Sequence, residues 1–142
     1  MDCVIYSDGA YSPLLDQGGV GILIFENGKE VLRYSNMYKR TTNNQMELAA
    51  VIIALRFIKR EYKSIKFYTD SQYVIGCASM GWSKKKNVRL WKEFDKQMKR
   101  VSKLCSDITF NYIKGHQTDS SEQTKYNNIV DKLAVKASQL WK

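Results

Sequence analysis

Residues 41–55 read TTNNQMELAAVIIAL, and this stretch decides the fold. After its polar start the side chains are apolar nearly all round, which is typical of a helix packed inside a domain. Glu47 interrupts the run and shares a helix face with Ala50 and Ala54. Its carboxylate therefore loses hydration and is expected to be protonated, paired or bound to a metal. Alternatively, Glu47 lies early in the helix and only complements the positive dipole end that follows a Thr or Asn cap.

The chain has 142 residues, of which 44% are hydrophobic. This size and composition favour one domain over residues 1–142 and exclude wholesale disorder. No apolar run approaches the roughly 20 residues of a membrane span, and the start MDCVIYSDG lacks the basic region of a signal peptide. Three cysteines without a CxxC pair favour an intracellular, reducing compartment, most simply the cytoplasm. Nothing in the sequence demands more than a monomer.

The net charge of +9 points to a polyanionic partner, with nucleic acid favoured over a membrane. Residues 81–104 contain nine Lys or Arg against two acids, with Trp82 and Trp91 interleaved. Basic residues beside aromatic rings can follow a phosphate backbone while the rings pack on sugars or bases. The alternative, a solvated amphipathic helix with buried tryptophans, explains Trp91 but does not explain the lysine run at 84–86.

The elements are predicted in the order β-β-β-α-β-α-α-β-α, which implies a mixed α/β sheet built from an antiparallel meander and parallel crossovers. The first strand is predicted over 3–7, ending at the turn-prone SDGAYS, and Asn27-Gly28 predicts a hairpin. Helical periodicity predicts helices at 43–62, 71–79, 87–104 and 126–141. The last of these is expected to turn Leu140 and Trp141 inward.

Four acids lie where elements meet: Asp8, Glu47, Asp70 and Asp131. Ligand sites in open α/β sheets form beyond the carboxyl ends of strands, so adjacent parallel strands would bring Asp8 and Asp70 to one edge. Glu47 and Asp131 are expected in the first turns of their helices. Converging carboxylates repel unless they are protonated or bridged by cations, and such hard oxygen ligands suit Mg²⁺ or Mn²⁺.

Each acid also has a structural interpretation. Asp8 before Gly9 is a plausible turn residue, and Asp70 is a plausible helix cap. Asp131 could be a surface acid that complements a helix dipole. Spacing alone does not decide between these interpretations and a shared metal site.

The segments YSDGAY, TTNNQMELAAVIIAL, YTDSQYVI, KNVRLW, YIKGH and NNIVDKLA occur in an order that resembles type 1 ribonuclease H over essentially the whole chain. The resemblance implies a ribonuclease H-like fold with a five-stranded mixed sheet flanked by helices. It also implies an endonuclease that hydrolyses the RNA strand of RNA–DNA hybrids by two-metal-ion catalysis. The products would carry 5′-phosphate and 3′-hydroxyl ends.

The resemblance assigns the family's acidic set to Asp8, Glu47, Asp70 and Asp131, as catalytic ligands of two Mg²⁺ ions that Mn²⁺ can replace. Asp8 would bridge both ions. His116 matches a mobile-loop histidine that assists proton transfer or product release. Four further residues match positions that contact the hybrid, through a DNA phosphate or the minor groove: Thr42, Asn43, Asn44 and Gln72.

The chain departs from the family pattern in two places. The first loop, SPLLDQGG, lacks an asparagine- and glycine-rich turn, so a hybrid contact is missing there or comes from Gln17. The basic protrusion is short, which leaves a few candidates for gripping the duplex: Trp82, Lys84, Lys85 and Lys86. We expect weaker binding than in relatives with a full protrusion, or reliance on an accessory hybrid-binding or polymerase partner.

Three competing interpretations are open from the sequence. A hybrid-binding module without activity would be expected to lack one of the acids, and all four are present. A nuclease of the same fold that acts on DNA would be expected to lack TTNNQMEL. A reverse-transcriptase fragment is the third, although Met1 directly before the first strand favours a free-standing protein.

Overall fold

The computed structural model describes residues 1–140. Within them the chain forms strands and helices in the predicted order: β1 (Asp2–Ser12), β2 (Gln17–Glu26), β3 (Lys29–Lys39), α1 (Asn43–Phe57), β4 (Ser64–Thr69), α2 (Gln72–Ser79), α3 (Val88–Val101), β5 (Ile108–Tyr112) and α4 (Glu122–Ser138). The five strands form one sheet in the order β3-β2-β1-β4-β5. β1 pairs antiparallel with β2 and parallel with β4. The predicted mixed sheet is therefore confirmed.

The first strand is longer than predicted. β1 continues through the turn-prone SDGAYS to Ser12, which pairs with Gln17 of β2, so the prediction of a turn after Ser7 is wrong. Pairing with β2 over this stretch outweighs the local turn preference, and the chain reverses in the next segment instead. The hairpin at Asn27-Gly28 is confirmed, because both residues have positive φ (48° and 81°) as a type I′ turn requires.

Two predicted helix ends are wrong, and at the first of them a residue distant in the sequence caps the helix. α1 ends at Phe57, and Ile58 turns to an extended conformation with its side chain buried. The Arg100 guanidinium of α3 donates to the carbonyls of Leu55 and Ile58 at 2.7 and 2.8 Å. These bonds satisfy carbonyl groups that the end of a helix leaves without partners. α3 likewise ends at Val101 rather than at 104.

The last helix starts earlier than predicted. Ser121 caps α4, accepting a hydrogen bond from the backbone N–H of Thr124 at 3.2 Å, so the helix begins at Glu122. At the other end Leu140 lies beyond the helix and is 49% exposed, which contradicts the predicted inward position. The inward position predicted for Trp141 lies outside the described residues.

Helices cover both faces of the sheet. α1, α2 and α3 enclose the larger core, in which Ile5, Leu48 and Phe67 are fully buried. Because neighbours surround α1 in this way, its sequence is apolar nearly all round. On the opposite face α4 packs over a smaller cluster that includes Tyr6 and Val130. None of the helices within residues 1–140 combines the length and the apolarity needed to span a bilayer.

Two glycines allow the helices to approach the sheet at backbone distance. A Cβ on Gly9 of β1 would lie 2.2 Å from the backbone nitrogen of Glu47, at the start of α1. A Cβ on Gly21, which pairs with Asp8 in the β1–β2 register, would lie 2.4 Å from the Val130 carbonyl oxygen of α4. Both helices therefore contact the strands beside Asp8, one from each face.

We predict that Gly9→Ala lowers the free energy of unfolding by about 3 kcal/mol, because the added methyl group must displace the backbone of α1. Urea denaturation measures this change. Gly28→Ala is the matched control, since nothing lies within 4 Å of its Cβ position and only its positive φ is unfavourable, at a cost of about 1 kcal/mol. Equal losses in the two variants would contradict the proposed close contact.

Candidate active site

The four acids converge at one edge of the sheet. β1 and β4 run parallel with Tyr6 opposite Tyr68, so Asp8 and Asp70 follow at matching heights. Carboxylate oxygens of Asp8, Glu47 and Asp70 lie within 4.8 Å of one another. Asp131 of α4 lines the same cleft, which has a volume of about 300 Å³. The expected convergence of Asp8 and Asp70 is confirmed, and one helix from each face adds a carboxylate.

The structural interpretations of the acids do not fit these positions. Asp8 lies inside β1, where its Oδ1 accepts from the N–H of Gly9 at 2.9 Å, rather than in a turn. Asp70 does not cap α2, because Ser71 does so by accepting from the N–H of Val74. Asp131 was expected in a first helical turn, but the earlier start of α4 places it mid-helix. A role in complementing the dipole is thereby removed for Asp131.

Thr42 is the N-cap of α1, so Glu47 is not needed there. The Thr42 hydroxyl oxygen accepts from the backbone N–H of Gln45 at 3.2 Å. Glu47 instead points to the cleft, where Asn43 Nδ2 donates to its Oε1 at 3.4 Å. The interruption of the apolar run therefore delivers a carboxylate to the sheet edge.

The cluster is rich in negative charge and poor in compensation. Asp8 is only 3% exposed. Its burial, together with the charges of Asp70, Asp131 and Glu47, raises its pKa to about 10. Burial also raises the pKa of Glu47, against the opposing effect of hydrogen bonds from Ser71 and Asn43. Within residues 1–140 none of the four acids forms a salt bridge. Buried oxygen ligands without a counter-charge suit a hard divalent cation.

His116 lies at the rim of this cleft, on the loop between β5 and α4. The loop passes tightly over the acids, because a Cβ on Gly115 would lie 2.7 Å from Asp70 Oδ2. His116 itself is exposed and has a positive φ of 56°. The structure thus places the predicted loop histidine at the cleft, and its chemical role stays a prediction.

The polar residues predicted to contact a hybrid lie at the starts of α1 and α2. Asn43 and Asn44 are exposed at the start of α1, and Asn43 lines the cleft. Gln72, the first residue of α2, is exposed, and its Nε2 donates to the Tyr112 hydroxyl at 3.5 Å. The suggestion that Gln17 supplies a further contact is wrong. Gln17 is 6% exposed and donates to the Leu140 carbonyl.

The short basic segment is only partly free. Trp82 is 48% exposed and lies with its ring against Gly76 of α2, where a Cβ would be 2.0 Å from the ring. Lys84 Nζ lies 5.0 Å from the centre of the Trp91 ring, in a cation–π contact that holds the segment to α3. Lys85 and Lys86 are exposed and form no salt bridge within residues 1–140.

Sequence reasoning missed Asn87, which links the starts of α1, α2 and α3. Its side chain accepts from Gln45 of α1 at 3.2 Å and donates to the Tyr73 hydroxyl of α2 at 2.9 Å. Asn87 is left-handed (φ 56°) and immediately precedes α3. An asparagine directly before a helical pattern is the one signal that could have marked it.

We predict that Asp8→Asn stabilises the protein in the absence of divalent ions. The folded state keeps a proton on Asp8 up to about pH 10, whereas the unfolded chain loses it near pH 4. Folding therefore takes up a proton between these values, and the stability of the wild type falls as pH rises through that window. The variant lacks this contribution and should be the more stable protein at pH 7 and above.

Urea unfolding in EDTA at pH 5, 7 and 9 measures the effect. Asp95→Asn, at an exposed position of α3, is the matched control and should keep the pH dependence of the wild type. If the free energy of unfolding changes between pH 5 and pH 9 by the same amount in the wild type and in Asp8→Asn, the buried, crowded state of Asp8 is contradicted.

Comparison with known proteins agrees with this geometry. The RNase H family model matches residues 1–139. A ribonuclease H of Trichodesmium erythraeum is 39% identical over 148 aligned positions, covering 97% of this chain and 89% of that protein. A ribonuclease H of Desulforamulus reducens is 35% identical, covering 97% and 88%.

One solved structure shares the fold across the chain. The protease-reverse transcriptase of prototype foamy virus has a TM-score of 0.79 and 27% identity, covering 99% of this chain but only 21% of that protein. The match of the family model to residues 1–139, together with the two similar ribonucleases H, establishes that the chain belongs to the ribonuclease H family.

Proposed function

We propose that this protein is an endonuclease that hydrolyses the RNA strand of RNA–DNA hybrids, leaving 5′-phosphate and 3′-hydroxyl ends. The observation that carries the proposal is the uncompensated cluster of Asp8, Glu47, Asp70 and Asp131, set between two helix starts that expose amide side chains. Family membership supports the activity. The LC11-RNase H1 structure, solved with an RNA/DNA hybrid, shares the fold with a TM-score of 0.70 at 22% identity.

Family membership implies dependence on a divalent metal, and the carboxylate cluster fits one. We propose two Mg²⁺ ions, replaceable by Mn²⁺. Asp8, the most central and buried of the acids, would contact both, Glu47 and Asp70 one, and Asp131 the other. When bound, the ions would activate a water and stabilise the leaving oxygen of the phosphodiester. In their absence, the protein keeps the carboxylates together and limits their repulsion by protonating Asp8.

The remaining residues hold the hybrid over these acids. The Asn43, Asn44 and Gln72 amides can pair with base-edge acceptors and sugar hydroxyls in the minor groove without selecting a sequence. The Thr42 hydroxyl oxygen is already engaged with Gln45 N–H, which leaves its proton free to donate to a DNA phosphate. His116, exposed at the cleft rim, can accept or release a proton beside the cut.

The setting of the enzyme is also proposed. Cys3, Cys77 and Cys105 are buried and unpaired, which supports a reducing intracellular compartment. One domain acting as a monomer is sufficient for the cleft described. Because the basic segment is short, we propose that an accessory hybrid-binding or polymerase partner contributes part of the affinity for the hybrid.

Cleavage of three end-labelled duplexes tests the function, with RNA–DNA, RNA–RNA and DNA–DNA each offered in Mg²⁺ and in Mn²⁺. We expect internal cuts in the RNA of the hybrid alone, abolished in Asp70→Asn and retained in the control Asp95→Asn. Tight hybrid binding without any cleavage would favour the non-catalytic binding module. Cutting of DNA–DNA would favour another nuclease of the same fold, and either result overturns the proposal.

We also predict that Lys85 and Lys86 contact the phosphate backbone of the hybrid. Replacing both with alanine should lower the slope of log affinity against log salt by about 2, because each phosphate contact releases roughly one counterion. Fluorescence anisotropy with a labelled hybrid in EDTA measures the slope. Lys29 and Lys66, exposed at the end of the sheet away from the cleft, provide the matched double variant. An unchanged slope in the Lys85 and Lys86 variant excludes this contact.

A further inference from the structure

One face of α3 carries a row of cations that the proposed cleft does not use. The row consists of exposed residues spaced by three or four positions, which we call the α3 stripe: Arg89, Lys92, Lys96 and Lys99 on the helix, and Lys103 two residues past its end. That spacing keeps the four helical residues on one side of α3. The opposite side is buried in the core through Trp91, Phe94 and Val101. Four of the chain's positive charges are therefore aligned along one solvent-facing line of α3, with Lys103 just beyond its end.

The cations of the stripe outnumber the acids beside them. Within residues 1–140 none of its members forms a salt bridge. Two acids of α3 flank the row: Glu93, which is engaged by Arg56 at 2.7 Å, and Asp95, which lies three residues from Lys92 and four from Lys99. An ordinary solvated helix face alternates the two signs of charge, whereas like charges at these spacings destabilise a helix. An excess of cations on this face is better suited to a bound polyanion.

The stripe runs along α3 from the start of α1 towards the end of α1. α3 begins near the start of α1, the helix that carries Glu47, and Asn87 there bonds to Gln45 and Tyr73. It ends at the other side of the molecule, where Arg100 reaches the last carbonyls of α1. From Arg89 to Lys99 the helical rise gives a path of about 15 Å, or roughly four nucleotides at the axial spacing of a stacked strand. The stripe therefore leads away from the cleft, down the side of the domain.

The shape and charge of this path favour a nucleic-acid single strand over a duplex or an acidic protein. A duplex lying across the cleft is too stiff to turn down the side of α3, since its persistence length is about 150 base pairs. An acidic protein would find little apolar surface, because the exposed residues of α3 other than Val88 are all charged. A single strand is flexible enough to turn and needs only its phosphates neutralised.

We propose that the α3 stripe binds a single-stranded extension of the hybrid as it leaves the cleft. This inference rests on the proposed function, because the hybrid must occupy the cleft for the strand to reach the stripe. No exposed aromatic side chain lies on α3, so the binding is electrostatic, insensitive to base sequence and strongly dependent on salt. The preferred substrate is accordingly a hybrid flanked by single strand rather than one with blunt ends.

Fluorescence anisotropy in EDTA tests the inference with a blunt hybrid and with the same hybrid carrying a single-stranded extension on either strand, at either end. The stripe variant is Lys92, Lys96 and Lys99 replaced by glutamine. The control variant replaces Lys29, Lys66 and Lys125, which lie outside α3 and remove the same charge. We expect at least one extension to tighten wild-type binding about tenfold, and the stripe variant to lose that gain. The salt slope for that substrate should fall by about 2 in the stripe variant only.

Several results would overturn the inference. They are no gain from any extension, an equal loss on the blunt hybrid, or an equal loss in the control variant. Polyglutamate that binds as tightly as the strand and is equally sensitive to the stripe substitutions would identify a general polyanion site instead.

Cleavage of the blunt hybrid in Mg²⁺ is a separate readout and should be unchanged in the stripe variant. If the wild type fails to cleave it, the proposed function fails, whereas the anisotropy result concerns the stripe alone.

Discussion

Mutual repulsion between carboxylates at one edge of the sheet is the constraint on which the rest of this structure depends. Backbone packing opposes it, because Gly9 admits the start of α1 and Gly21 admits the middle of α4 against the strands beside Asp8. The apolar cores on both faces stabilise these contacts. Asp8 responds to the crowding by retaining its proton, with a pKa of about 10. The fold thus keeps together a set of charges that a divalent cation would complete.

Much of the fold follows from local patterns in the sequence. Asn27-Gly28 specifies the hairpin because its positive φ values suit few other residues. The periodicity of α3 predicts its helix because the pattern reflects one buried face, whereas α1 is predicted from an apolar run that neighbours surround. The sheet edge shared by Asp8 and Asp70 follows from parallel strands joined by a helical crossover. The composition of the site was predictable from the sequence, although its metal ligation and catalytic roles remain proposals.

Where sequence reasoning failed, a partner distant in the chain decides the structure. β1 runs past its turn-prone residues because β2 pairs with them, and α1 stops early where Arg100 caps its end. Gln17, one of the two alternatives for a hybrid contact at the first loop, is instead buried, with its amide donating to the Leu140 carbonyl. Lys84 lies over the Trp91 ring, a contact that the sequence did not predict, and its role toward the hybrid stays a proposal. None of these contacts leaves a periodic or compositional trace in the sequence.

Calorimetric titration of Mn²⁺ into the metal-free protein at pH 7, in two buffers of different ionisation enthalpy, tests the central claim most directly. The crowded acids form a divalent-metal site, and Asp8 at its centre carries a proton only while the metal is absent. We predict saturable binding that releases about one proton in the wild type, since ligands must lose their protons to bind a metal. Asp8→Asn should bind more weakly and lose this release. Absent binding, or equal binding and proton release in both proteins, would contradict the claim.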